Sequence, residues 1–423
     1  MFSSYRRIFA APGSVAFTLT GLLGRLPIGM TGVAAVFMIT GAHGSYGLAG
    51  ALAATVLLVV AVAGPQISRL VDRHGQARVA VPALLLSTGG GLAELLCLDW
   101  HAPHWTLFPT AAVTGLGPNL GSMSRARWAA LYAGDEDVLH SAYAFESVLD
   151  ELCFILGPIA ATALATGLFP SAGFLVAGLL ILVGGLAFCA QRRTEPQLRR
   201  DATEERGSAM RSPGLRVLVL TLVATGGVFG IMEITTIGFA DAHGHKAAAS
   251  LVLSCYALGS CVSGLAFGLW KPSGGAARRL VLCLLAMTVS LSPLPFVDSL
   301  PELAAVLLVS GLTTAPTMVT SMGLVREAVP QARLTEGFSW AVTGLLLGVS
   351  GGAAVGGWAV QHLGAGAGYR IPMATGALAV LIALLGARRA TGPIPAAAPA
   401  AAPAPVPTGT DASEPSGRAA QVQ

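Results

Sequence analysis

Residues 68–78 read SRLVDRHGQAR, with Arg69, Asp72, Arg73, His74 and Arg78 packed into one short stretch. On either side lie apolar runs, 46–67 and 79–98. Each is about the 20 residues that a helix needs to cross a bilayer. The charged stretch therefore reads as a tight loop between two membrane spans.

Read outward from this loop, the same alternation continues to both ends. The runs are 15–39, 46–67, 79–98, 104–124, 143–167, 170–190, 215–240, 247–270, 278–297, 301–324, 336–360 and 368–387. Twelve spans need roughly 240 residues. Of the 423 residues 54% are hydrophobic, and the 53 glycines, common in packed membrane helices, add to that supply. Mean hydropathy is +0.70. Only 11% of residues are charged, against about a quarter in soluble domains. This composition excludes a secreted protein, a nucleic-acid binder and a soluble enzyme. The first run lacks a small-residue cleavage site and reads as a retained helix. Cys97, Cys153, Cys189, Cys255, Cys261 and Cys283 lie in apolar runs without a CxxC pair. They read as small packed hydrophobes, and no disulfide framework, metal site or cofactor is expected.

The basic residues orient the spans. Twenty-one of the 25 Lys and Arg fall in alternate loops, at both ends and in the middle stretch, and only Lys246 and Arg370 fall in the opposite loops. The positive-inside bias then places both termini in the cytoplasm. The expected organisation is a six-helix half at 1–190, a cytoplasmic middle loop at 191–214, a second six-helix half at 215–389, and a disordered Ala/Pro-rich tail at 390–423. A weak internal repeat agrees with this division. GSMSRARWAAL (121–131) and TSMGLVREAV (320–329) both carry Ser-Met, with Arg127 and Arg326 five residues after the Ser. Each is followed by a helix with an early Glu, Glu146 in AFESVLDE and Glu336 in TEGFSWAV.

With the topology in place, the 68–78 loop resembles the signature loop of the major facilitator superfamily, Gly-x-x-x-Asp-Arg-x-Gly-Arg between helices two and three. Asp72, Arg73 and Gly75 match, while Ser68 and Gln76 replace the usual Gly and Arg. The resemblance implies an all-α membrane protein of twelve transmembrane helices in two pseudo-symmetric halves. It also implies that Asp72 sits at the start of helix eleven and helps lock the cytoplasmic gate, where helix amides favour a carboxylate. Gly157-Pro158 in ESVLDELCFILGP resembles part of the helix-five motif of antiporters in this superfamily, without its flanking glycines, and implies a helix bend.

Ionisable residues at membrane depth are costly, so they are usually paired and functional. Arg25 lies well inside the first span with Pro27 behind it, and Glu146 and Asp150, four apart, share a face of helix five. An Arg25 pair with Asp150 or Glu146 is expected, either as a static tie or as a site where a proton replaces the cation. Glu151 points elsewhere. Glu233, two-thirds along helix seven without an obvious partner, is the first choice for contact with substrate or proton. Glu94 is expected to snorkel to the outer interface. Arg125, Arg127, Glu146 and Glu336 read either as a cytoplasmic charge network near Asp72 or as plain anchoring.

Other patterns carry less. Gly344, Gly348, Gly352 and Gly356 form a smooth packing ridge. GVSGG at 348–352 is a G-x-S-x-G without the strand a nucleophile elbow needs. His101, His104, His243 and His245 are loop histidines, and no P-loop is present. The loop QRRTEPQLRRD does not resemble that of sugar-uptake members, and Asn119 is the only Asn. Met30, Met232, Met318 and Met322 are candidate cavity-lining groups.

The expected function is secondary active transport: proton-coupled export of a small amphipathic compound, such as an antibiotic, by alternating access. A proton-coupled uptake permease for a polar metabolite and a non-transporting sensor or scaffold are the alternatives. The expected setting is the bacterial cytoplasmic membrane. The partners are a small-molecule substrate, protons and the lipid bilayer, with no nucleic acid, and a monomer functions.

Overall fold

A backbone in hydrocarbon must satisfy its own hydrogen bonds, and these apolar runs do so as helices. The computed structural model describes residues 3–43, 46–197, 208–245, 248–270 and 275–390. The tail beyond 390, and 198–207 of the middle loop, lie outside the described residues. The helices are α1 (Ser3–Ile8), α2 (Ser14–Arg25), α3 (Pro27–His43), α4 (Tyr46–His74), α5 (Gln76–Asp99), α6 (Leu107–Thr114), α7 (Leu120–Leu131), α8 (Glu136–Gly167) and α9 (Ala172–Ala190). The second half follows as α10 (Pro213–Ala242), α11 (Ala248–Leu269), α12 (Ala276–Ser290), α13 (Leu300–Gly311), α14 (Thr314–Ala328), α15 (Leu334–Leu363), α16 (Ala365–Gly368) and α17 (Arg370–Ala390). Among the described residues there is no strand.

Among the described residues, ten helical stretches are long and apolar enough to cross a membrane. The fourth expected span is too broken to be one of them, because Gly115, Gly117 and Pro118 interrupt it between α6 and α7. The twelfth, α17, is an apolar helix of shorter described length, Arg370–Gly386. Two other spans are also bipartite. Pro27 has no N–H to continue the ladder, so the first span divides into α2 and α3 immediately after Arg25. The tenth divides at Leu312–Thr313 into α13 and α14. The fifth begins earlier than the apolar run suggests: Asp135 Oδ1 accepts the Val138 N–H, so α8 starts at Glu136, and Glu146 lies almost three turns inside it. Leu58, Val62, Leu85, Leu86, Leu179 and Leu381 are exposed on the outside of the bundle, as lipid-facing groups are.

The chain folds into two six-helix halves. Close helix crossings depend on glycine. A Cβ at Gly348 or Gly352 would strike the α10 backbone at Val223 or Gly227, so the glycine ridge of α15 is the seam that packs the second half onto α10. Gly157 does the same between α8 and α3, where a Cβ would stand 2.6–2.8 Å from Gly29 and Met30 backbone atoms. α8 nevertheless runs unbroken through Pro158 to Gly167, so Gly157-Pro158 marks a close crossing rather than the end of a helix.

One apolar cluster joins the halves through Val71, Leu139 and Tyr143 of the first and Val325, Leu334 and Phe338 of the second. A separate cluster, with Met38, Leu98, Leu107 and Phe174, fills the other end of the first half alone.

Candidate functional site

The first half holds a buried charge cluster at mid-depth. Arg25 ends α2, with Gly21 O accepting its Nε–H at 3.3 Å. Its Nη1 donates to Glu146 Oε2 at 2.6 Å and to Asp150 Oδ1 at 3.1 Å, both from α8. Arg125 of α7 donates to Asp150 Oδ2. Glu146 Oε1 also accepts from Ser124 Oγ at 2.8 Å and from Trp128 Nε1 at 2.7 Å. Two arginines thus face two carboxylates, and Gly121 leaves room for both guanidinium groups. Arg25 and Glu146 are fully buried, whereas Asp150 keeps 29% of its side chain exposed. The expected pairing resolves as both at once: Glu146 is the enclosed partner and Asp150 the one that reaches open space.

Arg127 does not join this cluster. Its Nε donates to Gln76 Oε1 at 2.7 Å, and its Nη atoms donate to Thr194 Oγ1, Gln191 O and Phe188 O. Its guanidinium lies 3.8 Å from the Phe188 ring centre. Gln76 and Phe188 belong to the first half, and Gln191 and Thr194 follow directly after α9, so Arg127 clasps α5, α7 and α9 together and does not reach the contact between halves. Its repeat counterpart Arg326 does the opposite, pairing across the halves with Glu136 at 2.6 Å through Nη1.

The halves meet at the face that carries the arginine-rich loops. Asp72, at the end of α4, accepts the backbone N–H of Thr335 at 3.2 Å and of Glu336 at 2.8 Å. It thereby caps the N-terminus of α15 where the amides are unpaired. Gly75, at φ 95°, turns the chain from α4 into α5 so that Asp72 can reach across, and Arg73 is exposed beside it. Glu336 accepts from Ser208 Oγ at 2.5 Å, and its Oε2 is buried without a partner. Ser141 donates to Gly268 O at 2.7 Å, and a ring nitrogen of His140 lies 2.9 Å from Phe267 O, tying α8 to α11. These bonds close the bundle at this face. Glu146, expected near Asp72, stands deeper instead because α8 starts early.

Glu233 is exposed on α10 and makes no hydrogen bond or ion pair to another described residue. Its helix position shows what it faces. One turn before it, Gly230 packs on the α15 backbone at Val349, and Phe229 sets its ring against Tyr256 of α11. Helices α11 and α15 both touch the first half, α11 through α8 and α15 through α4. The strip of α10 between those two contacts, where Glu233 stands, therefore faces the central space.

Two further expectations need correction. Glu94 does not reach the interface: it is 3% exposed, since Gly90 and Gly91, on the same side of α5, pack on α6 and Phe174. Met30, Met232 and Met322 are buried between helices and Met318 is partly buried, so they fill packing gaps rather than line an open cavity. Glu151, set aside in the sequence because it leaves the Asp150 face, accepts from Ser260 Oγ of the other half at 2.7 Å.

The family model described as Major Facilitator Superfamily matches residues 17–270 and again 218–413. The chain belongs to the Major Facilitator Superfamily. It is thus a multi-pass membrane transporter and not an enzyme. No curated protein matches the transporter. Among solved structures, it is similar to a bacterial homologue of the iron transporter ferroportin in the outward-facing state, at 16% identity and TM-score 0.66 over 88% of this chain and 100% of that one. The human organic anion transporter MFSD10 (TETRAN) gives 16% identity and TM-score 0.66 over 88% of this chain and 100% of that one. The proton:xylose symporter XylE bound to 6-bromo-6-deoxy-D-glucose gives 15% and 0.66 over 88% and 95%. Their cargoes differ in chemistry, and at such identities the likeness is one of fold.

Proposed function

We propose that the transporter exports a small amphipathic cation or zwitterion, such as an antibiotic or other secondary metabolite, in exchange for protons. The observation that carries this reading is Glu233, a carboxylate on the central strip of α10 without a cationic partner among the described residues. A lone carboxylate at membrane depth takes either a proton or a cationic substrate, and competition between the two produces exchange. The Arg25–Glu146–Arg125–Asp150 cluster is charge-matched and acts in this reading as a frame that fixes α2, α7 and α8. The partial antiporter motif around Gly157 and Pro158 favours export over uptake.

In the same reading the halves are 1–190 and 215–389, joined by the loop 191–214, and the arginine-rich face with both termini is cytoplasmic. Asp72, Arg73 and Gly75 then form the cytoplasmic gate with Glu336, Arg326 and Glu136, and the described conformation is closed to the cytoplasm. The protein works as a monomer in a bacterial inner membrane.

The test is quenching of a pH-sensitive dye in energised everted vesicles while cationic, neutral and anionic compounds are added. Export by proton exchange predicts that an amphipathic cation dissipates the gradient, and that Glu233→Gln abolishes this while still reaching the membrane. Accumulation of a polar nutrient by whole cells, with no compound dissipating the gradient, would replace export with uptake.

A further inference from the structure

The Glu151–Ser260 bond differs from the other bonds that join the halves. Asp72, Glu136, His140 and Ser141 act at the arginine-rich face. Glu151 lies ten residues along α8 from Ser141, about 15 Å further into the bundle by helical rise. The α8–α11 contact runs up to it: Ser141 on Gly268, then Val148 against Gly264, then Glu151 on Ser260. Beyond that level the described cross-half bonds give way to the central space, and Glu151 is half-buried at the boundary.

Among the described residues no cation stands against this carboxylate. Asp150, one residue earlier, is turned about 100° around the helix and takes both Arg25 and Arg125. From α11 the titratable neighbours of Glu151 are Tyr256 and Cys261. The Tyr256 hydroxyl is shared with Thr314 at the start of α14. The arginine of α14, Arg326, lies at the far end of its helix with Glu136. Glu151 therefore meets hydroxyls, a thiol and one like charge.

A carboxylate in that setting is costly when charged and cheap when it carries a proton, so long as the halves enclose it. Water reaching the α8–α11 seam reverses the preference. We propose that Glu151 is the residue whose protonation decides whether α8 and α11 part at mid-depth, and so links proton occupancy to the alternation of the two halves. The assignment rests on the proton-exchange reading above but names a different residue from Glu233. Glu233 meets the cargo, and Glu151 sits at the seam that must open for the cargo to cross.

The variant Glu151→Gln keeps the size and an acceptor for Ser260 but cannot ionise. Spin labels at Ala133→Cys and Arg278→Cys, both exposed on the arginine-rich face in different halves, report opening in a background lacking the six native cysteines. In nanodiscs without substrate, the wild-type distance distribution shifts between about pH 5.5 and pH 8.5. Glu151→Gln holds one distribution at both, matching wild type at the lower pH, and Asp99→Asn, an exposed carboxylate at the end of α5, shifts as wild type does. A Glu151→Gln protein that shifts like wild type, or a wild type that does not shift, overturns the assignment. In everted vesicles Glu151→Gln should lose at least about tenfold of the substrate-driven proton release while substrate binding changes less than about twofold. If wild type releases protons and Glu151→Gln does so equally, this inference alone fails. If wild type releases none with any compound, the export reading fails first, and the distance measurement still judges Glu151.

Discussion

The carboxylate of Asp72 accepts the backbone N–H of Glu336 at 2.8 Å, so a loop of one half caps a helix of the other. This bond exists only while the arginine-rich face is closed, and it draws on the helix dipole as well as on hydrogen bonding. Asp72→Ala should weaken closure by about 0.5–2 kcal/mol, the usual value of such a cap. Ser339, buried one turn further along α15 and facing Gly64 of α4, reports the change. A cysteine placed there should react faster with maleimide in the Asp72→Ala protein than in its parent.

The buried cluster should be unequal in its parts. Glu146 is enclosed with Arg25, and removing it leaves a buried guanidinium to Asp150 alone. Breaking a buried pair from one side costs about 3–5 kcal/mol. Glu146→Ala should therefore lower the unfolding temperature in detergent far more than Asp150→Ala, whose side chain already reaches open space. Equal losses would mean that the two carboxylates share the load.

Much of this architecture is legible in the residues, for identifiable reasons. Hydrophobic run length and the placement of arginine report the spans and their alternation directly, because the bilayer imposes both. Asp72 is legible because its loop has a recognisable pattern, and the Arg25 pairing because few charges lie at that depth. Glu151 is not, since its partner Ser260 sits on a helix more than a hundred residues away, whose rotation against α8 no single sequence specifies. Arg127 misleads for a related reason. Its position in the internal repeat resembles that of Arg326, but its partners come from the ends of α5 and α9. The break in the fourth span has a visible signal in Gly115-Leu116-Gly117-Pro118, and Asn119 caps the helix that follows.

Those two arginines should respond differently to substitution. Arg127→Lys loses a fan of bonds that an ammonium cannot reproduce, and it should destabilise the fold without changing which face is open. Arg326→Glu disrupts a pair whose Glu136 side chain is exposed, and such pairs are worth about 0.2–1 kcal/mol. The melting temperature should hardly move, while maleimide labels the Ser339→Cys reporter faster. Adding Glu136→Arg should restore the slower rate.

The glycine seam between α10 and α15 should tolerate no side chain. Gly348→Leu forces the two helices apart where a single Cβ already meets the Val223 carbonyl. Overpacking of this kind costs about 1–3 kcal/mol or more, and the yield of monodisperse protein should fall. Gly351→Leu, on a side with nothing near it, should leave the yield unchanged.

The most direct test of the whole account counts cargo and protons in one preparation. Purified protein in liposomes is given an amphipathic cation that dissipates the gradient in vesicles, and cargo flux and internal pH are followed together. The account predicts that a proton gradient drives the cation uphill in the opposite direction, and that Glu233→Gln still passes it downhill but no longer concentrates it. Uphill movement by Glu233→Gln, or cargo and protons moving in the same direction in wild type, would contradict it.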